Sequence, residues 1–484
     1  MLKPRFIALA PSFIVLTLST LIPMSSLALG SSSELRSTLD DQKSVAVTIY
    51  NSNLALVKDV RNIKLDSGFN AIAMRDVSAQ IRPETALLRS INAPGSLSLL
   101  EQNFDYDLLS PAKMLEKYVG KSVTIVKTNP KTGAETSEKA TVLSANNGVV
   151  LKIGNRIETG LPGRIVYDNV PANLRDRPTL ITQLKNSGKK SQTVELSYLT
   201  GGLGWKADYV AELNAKEDRL DLSGWVTLSN TSGASYNNAK LQLVAGDVNQ
   251  VQRNIRRPMS KNMRADVMMA EAAAPMSEEG LLEYHLYRLD RPTTIAENQT
   301  KQVALLSASD IPVKKSLLLR GADYYYRSQY GAIGTKMKVD VFVSFDNKEA
   351  AKLGMPLPKG IMRVYKKDSR GNAQFVGEDA IDHTPKNEAI RLKLGSAFDV
   401  TADKKQTDFK KVSNREYKTA FEITLKNAKK EAVTVTIQEP IGGDWRILSE
   451  SAKHTKINSR LAQWNIKVPA EGKTKLTYRA IVKY

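Results

Sequence analysis

Only three side chains in the 484 residues can act as imidazole base or ligand: His285, His383 and His454. His285 lies in the strand-like run Glu283-Tyr284-His285-Leu286-Tyr287. His383 follows Asp382 and precedes Thr384-Pro385, a turn signature, and His454 falls in a polar loop. No two of them stand at metal-ligand spacing, and no H-E-x-x-H motif occurs. With no cysteine, the chain has neither a thiol nucleophile nor a thiolate metal site. No G-x-S-x-G elbow offers a hydrolase serine. Gly120-Lys121-Ser122 and Gly472-Lys473-Thr474 end like phosphate-binding loops, but Leu115 and Lys467 stand where the first glycine is required.

Four further groups carry weaker chemistry. Successive amides in Gly201-Gly202-Leu203-Gly204-Trp205 fit an anion nest, although such glycines more often permit a bulge or strand corner over a packed tryptophan. Trp225, Trp445 and Trp464 are expected in sandwich cores for the same reason. Tyr324-Tyr325-Tyr326 and Tyr330 offer flat faces to sugar rings, against the ordinary reading of packing on alternating strand faces. Met259, Met263, Met268, Met269 and Met276 present soft thioethers that suit Cu(I), against a plain spacer. The sequence therefore supports no catalytic residue, no cofactor and no metal site, and leans against an enzyme.

Charge says more about partners. Lys and Arg number 70 against 50 Asp and Glu, a formal net charge of +20. Such a surface attracts lipopolysaccharide, teichoic acid, lipid headgroups or acidic polysaccharide. The densest stretch, Lys404 to Glu431, is punctuated by acids and reads as a solvated basic face.

The N-terminus places these groups in a compartment. Lys3 and Arg5 precede an apolar run, Phe13 to Ile22, and Ala28-Leu29-Gly30 supplies a small-residue exit. Pro11, Ser12, Ser19, Thr20 and Pro23 interrupt the run, so a cleaved signal peptide over 1–30 is expected rather than a retained span. The working chain is expected in the periplasm or outside the cell, with no transmembrane segment after cleavage. Export makes nucleic acid an unlikely partner despite the charge.

The elements that must position the side chains are mostly strands. Val45, Val47 and Ile49 alternate with Ala46, Thr48 and Tyr50, and Leu54–Val60, Asn70–Met74, Thr85–Ile91 and Leu97–Gln102 complete an N-terminal β region, 44–105. Ser110 to Val119 predicts a short helix, capped by Ser110 with Pro111 at its first position. Close-spaced strands at Ser122–Lys127, Lys139–Ala145, Val149–Ile153 and Arg164–Tyr167 predict a small SH3- or Sm-like barrel over 106–172. Longer strands from Leu180 to Ala245 read as a β-sandwich region, 173–250. Alternation lapses over 251–280, read as a mobile Met/Ala-rich insertion. A β-rich region, 281–400, follows. The last segment, 401–484, alternates through Phe421, Ile423 and Leu425, then Val433, Val435 and Ile437, then Leu476, Tyr478 and Ala480, as in an immunoglobulin-like sandwich. The expected fold is mainly β, a multidomain set of antiparallel sandwiches.

Several blocks together resemble a family of uncharacterised exported proteins, the mucoidy inhibitor A-like proteins, defined by domain of unknown function 4139. They are VTIYNSNLALVKDV (47–60), SYLTGGLGWKADYVAEL (197–213), GWVTLSNTSGASYNNAKLQLVAGD (224–247), LPKGIMRVYKKDSRGNAQFVGED (357–379), LGSAFDV (394–400) and DWRILSES (444–451). The resemblance implies an exported, mostly β protein and no particular reaction. Its mucoid-phenotype link hints at envelope polysaccharide. The expected function is that of a non-enzymatic cell-envelope scaffold or binding protein that contacts an anionic glycan or another envelope protein. The competing expectation is a carbohydrate-active enzyme whose Asp/Glu pair is assembled by the fold. Oligomeric state is left open.

Overall fold

The computed structural model describes residues 34–51, 53–171, 173–250 and 276–484. Among them are 31 strands, one α-helix and four short 3-10 turns, so the mainly β expectation holds. The alternating apolar pattern explains why. In Leu54–Lys64 and Ser191–Thr200, every second side chain is buried, as a pleated strand with one core face requires.

Strands far apart in the chain share sheets. Gln42–Tyr50 pairs antiparallel with Leu54–Lys64 and parallel with Tyr236–Ala245. Leu54–Lys64 in turn pairs with Ser191–Thr200. The segments read as separate regions, 44–105 and 173–250, thus interleave in one eight-stranded sheet. A buried ion pair pins the N-terminal entry to this sheet. Arg61 is fully buried, donates through Nε and Nη2 to Asp59 at 2.9 and 2.7 Å, and reaches the carbonyls of Ser37 and Arg75 at 3.0 and 2.8 Å. With these donors paired, the guanidinium is tolerated in the interior.

Three cores result. The largest joins Val47, Leu196, Tyr209, Leu241 and Tyr287, and extends to Val343 and Leu392. A second, C-terminal core gathers Leu317, Val339, Val400, Phe421, Ile437, Trp464 and Tyr478. A small third one contains Met114, Tyr118, Val123, Val142 and Leu151. Its helix, Pro111–Lys117, is capped by Ser110, which accepts from the Lys113 amide at 3.2 Å.

The small module does not close into a barrel. Its five strands lie in an open sheet with Arg156–Thr159 at one edge and Arg164–Val166 at the other. These edges are four and three residues long and leave Ile157 and Val166 exposed, too little strand to complete a cylinder. No other sheet closes either.

Two long strands tie the large core to the C-terminal one. Ala332–Asp346 places Val339 in the second core and Val343 and Phe345 in the first. Ala389–Lys411 places Ile390 and Leu392 in the first core and Val400 and Ala402 in the second. It runs straight through residue 400, where the sequence suggested a boundary. Of the insertion read over 251–280, residues 251–275 lie outside the described residues. Ser277–Leu281 is a strand paired with Tyr284–Arg288, and Met276 is buried, so the irregular reading does not extend to Gly280. Among the described residues no helix is long and apolar enough to cross a membrane.

Candidate binding groove

Where Ala389–Lys411 passes from one core to the other, its alternation lapses. Leu392 and Val400 are buried, but Gly395, Ser396, Phe398 and Asp399 between them are exposed. The ladder to Ala332–Asp346 jumps from Lys338 opposite Thr401 to Asp340 opposite Ser396, and the ladder to Glu416–Asn427 starts only at Val400. Residues 397–399 therefore bulge. A bulge re-aims a side chain, and here it turns Phe398 outward until it is 93% exposed, an unusual state for a phenylalanine in a long strand.

Phe398 lines two cavities. The narrower, about 290 Å³, has an apolar floor of Leu213, Leu317, Val341, Val343 and Leu394 and is rimmed by Glu217, Lys315, Lys366 and Lys429. The wider and more open, about 560 Å³, is bounded by Thr401, Lys426, Asn427, Glu471 and Lys473. Phe398 and Asp399 belong to both.

The charges are arranged unevenly. Glu217, at a left-handed turn position with φ of 60°, is gripped by Lys315 and, at 2.5 Å, by Lys366. Burial pushes its carboxyl pKa up, but the two ammonium groups outweigh burial and hold it below the ordinary value. Lys426 is engaged by Asp403. Lys429 and Lys473 make no salt bridge among the described residues. Each chamber thus has one lysine outside any salt bridge, Lys429 or Lys473, and Phe398 lines both.

The groups singled out in the sequence go elsewhere. His285 and His383 approach one corner, where His285 Nδ1 lies 2.8 Å from Glu278. Burial, then the Lys359 charge, lowers the His383 pKa, with His285 adding to the effect and Asp247 and Asp382 opposing it. The Lys359 amide donates to His383 Nδ1 at 3.3 Å, and the buried Nε2 has no hydrogen-bond partner among the described residues. His454 lies between Trp445 and Trp464, with Nδ1 2.9 Å from Glu450, a packing role. Among the described residues no three His, Asp or Glu side chains are grouped to hold a metal.

The glycine-dense stretch is structural. The Gly202 amide donates to Asn53 Oδ1 at 2.9 Å and the Gly201 amide to the Gln80 carbonyl at 3.1 Å, so neither awaits an anion. Gly202 has φ of 79°, and a Cβ there would come within 2.5 Å of Ser232 Cα. Trp205, Trp445 and Trp464 are buried, but Trp225 faces away from the buried row Leu222, Gly224, Val226 and Leu228 and is only half-buried. The tyrosines do not alternate on a strand. Asp323–Tyr326 is a 3-10 turn that buries Tyr326 and leaves Tyr324 exposed. Met276 is the only one of the five methionines among the described residues.

The basic run Lys404 to Glu431 is also not uniformly solvated. Lys404 turns into the C-terminal core, where Nζ meets the two carboxylate oxygens of Glu439 at 2.6 and 2.7 Å. Periodicity carried the signal, since Val400, Ala402 and Lys404 share a strand face, as do Val435, Ile437 and Glu439. Phe398 was legible only as a lapse in the same alternation.

No curated protein matches this chain. One family model does match, over residues 194–484, and its first residue falls inside the strand Ser191–Thr200, whose two neighbours, Leu54–Lys64 and Leu87–Ser90, precede it in the chain. With more than half of its 484 residues covered, the chain belongs to the family of the domain of unknown function DUF4139.

Proposed function

We propose that this is an exported, non-enzymatic protein of the cell envelope, a scaffold or binding protein that contacts an anionic glycan or another envelope protein through the groove at Phe398. The observation that carries the reading is the pairing of an exposed aromatic ring with two lysines outside any salt bridge at a junction of two cores. The positive chain charge and the N-terminal signal pattern support an anionic partner outside the cytoplasm. The resemblance to mucoidy inhibitor A-like proteins points the same way.

The finer architecture belongs to this proposal. For the small module, an SH3- or Sm-like ancestry is supported by its strand order, in which Arg164–Val166 comes last in the chain yet pairs with the first strand, Ser122–Thr128, after a leading helix. For 401–484, an immunoglobulin-like sandwich is supported by strands that wrap one aromatic core.

A glycan-cleaving enzyme is the second reading, since Glu217 and Asp399 both line the narrow chamber. Two lysines hold Glu217 ionised, the wrong state for a general acid, which favours binding over cleavage. The test is sedimentation of the purified chain with envelope fragments across a salt series. Retention that fades as salt rises supports the reading, and no retention at any salt overturns it. Intact mass of the native protein tests export, with a form that begins at Met1 counting against cleavage near Gly30.

A further inference from the structure

We propose that the two chambers beside Phe398 bind a carboxylated saccharide chain, with a sugar ring stacked on Phe398 and its acid groups met by Lys429 and Lys473. The assignment rests on the envelope-binding reading above and names the ligand class. Three observations select it.

The first is the ring. A phenylalanine 93% exposed on a bulge forfeits much of its burial energy, and a flat apolar face in water suits the C–H face of a pyranose. Lipid tails would also cover it, but the rim on both sides is polar and charged. The second is the placement of cations. Lys429 lines one chamber and Lys473 the other, so a chain laid across Phe398 passes an ammonium group on each side. Spaced carboxylates on successive sugars match spaced lysines.

The third is Asp399, which lines both chambers, with Glu471 in the wider one. These carboxylates repel a densely charged polymer such as polyphosphate. They accept hydrogen bonds from hydroxyl groups, which a uronic acid carries beside its carboxylate. Cation, aromatic face and acceptor together fit a ligand that is both hydroxylated and sparsely acidic. The combined space falls in the usual range of ligand sites, roughly 300–1,000 Å³.

The experiment is calorimetric titration of the full chain with a galacturonate hexamer, its carboxyl-reduced neutral counterpart and polyphosphate. The uronate is expected to bind, more tightly at low salt, and the neutral hexamer to bind at least about tenfold more weakly. Phe398→Ala should weaken uronate binding about tenfold. Lys429→Ala with Lys473→Ala should weaken it similarly and flatten its salt dependence. Phe398 and Lys473 are exposed and Lys429 is half-buried, and an unchanged melting temperature shows that the fold is intact. Equal binding of the neutral hexamer, tighter binding of polyphosphate, or full affinity in Phe398→Ala overturns the proposal. A chain that sediments with envelope fragments yet ignores the uronate overturns the ligand class alone. A chain that does neither overturns the wider reading as well.

Discussion

Glu439 and Glu217 are both gripped by lysine, and burial makes them different objects. Glu439 and Lys404 lie in the C-terminal core with about 1% of each side chain exposed. Tyr325 and Phe421 rings stand 4.6 and 5.0 Å from the ammonium, and the Tyr326 hydroxyl donates to Glu439 at 3.1 Å. Burial holds the Tyr326 and Tyr478 hydroxyls well above the usual phenol range, with the Glu439 charge adding to it. Glu217 has two lysines rather than one, yet about a quarter of its side chain meets water at the groove rim. In the core, each charge depends wholly on its partner for solvation. At the rim, water can replace either partner. The first arrangement fixes how the strands Ala389–Lys411 and Val433–Pro440 meet in the core; the second shapes a surface and leaves it adaptable.

The comparison breaks most visibly at Glu439. Glu439→Leu strands the Lys404 ammonium in an apolar core, and equilibrium denaturation should show a loss of about 3–5 kcal/mol. Adding Lys404→Met should restore most of that loss, because a buried ion pair replaced by apolar groups of similar volume is near neutral. Some deficit should persist, since the Tyr326 hydroxyl loses its acceptor while keeping its 2.8 Å contact with Tyr478. A double variant no more stable than the single would show that the pair itself, rather than the stranded charge, sets the cost.

Next in size is Gly202, outside both sites. Alanine there is strained by its left-handed backbone and by the Ser232 backbone against it. A cost of about 1–3 kcal/mol in denaturation is expected. A neutral result would mean that the Asn-Thr-Ser-Gly turn can give way, and that the strand corner beneath the large core is softer than its hydrogen bonds imply.

Much of the local structure was legible because it is periodic. Ser110 and Pro111 announce the helix, and the alternating rows at Phe421 and at Leu476 give the C-terminal strands. What escaped is long-range. Nothing near Gln42–Tyr50 signals that it pairs with Tyr236–Ala245, about 190 residues on, because strand pairing depends on partners rather than on local pattern. The same holds for Glu217, whose turn, strand Lys314–Arg320 and strand Gly360–Lys367 meet only in three dimensions. Lys404 was hidden by composition. It stands in a basic run, and its face becomes visible only when read with Val400 and Ala402 at a period of two. The closed barrel was inferred from strand count, but closure depends on edge length, and the module's edges are too short.

At the rim, Glu217→Gln should cost about 1 kcal/mol or less, because a partly exposed ion pair gains little over its hydrated charges. Its pH dependence carries the sharper sign. The folded carboxyl titrates below its ordinary value of 4.5, so its stabilisation is present above that value and lost as pH falls through the lower, folded one. Denaturation midpoints of wild type and Glu217→Gln should therefore differ at neutral pH and converge in acid. A difference that widens in acid would reverse the assigned direction.

The smallest effect on stability is expected where the effect on binding is largest. Lys429 and Lys473 make no salt bridge among the described residues, so Lys429→Ala with Lys473→Ala breaks none and leaves no buried charge. Stability should stay within about 0.5 kcal/mol of wild type. A gain within that range is even reasonable, because Lys426 and Lys473 stand opposite each other on paired strands and repel one another. Residues placed for folding would behave as Glu439 does; residues held for a ligand should be silent until the ligand is added. A clear loss of stability in this double variant would move the two lysines into the first class and remove the contrast between the core pair and the groove.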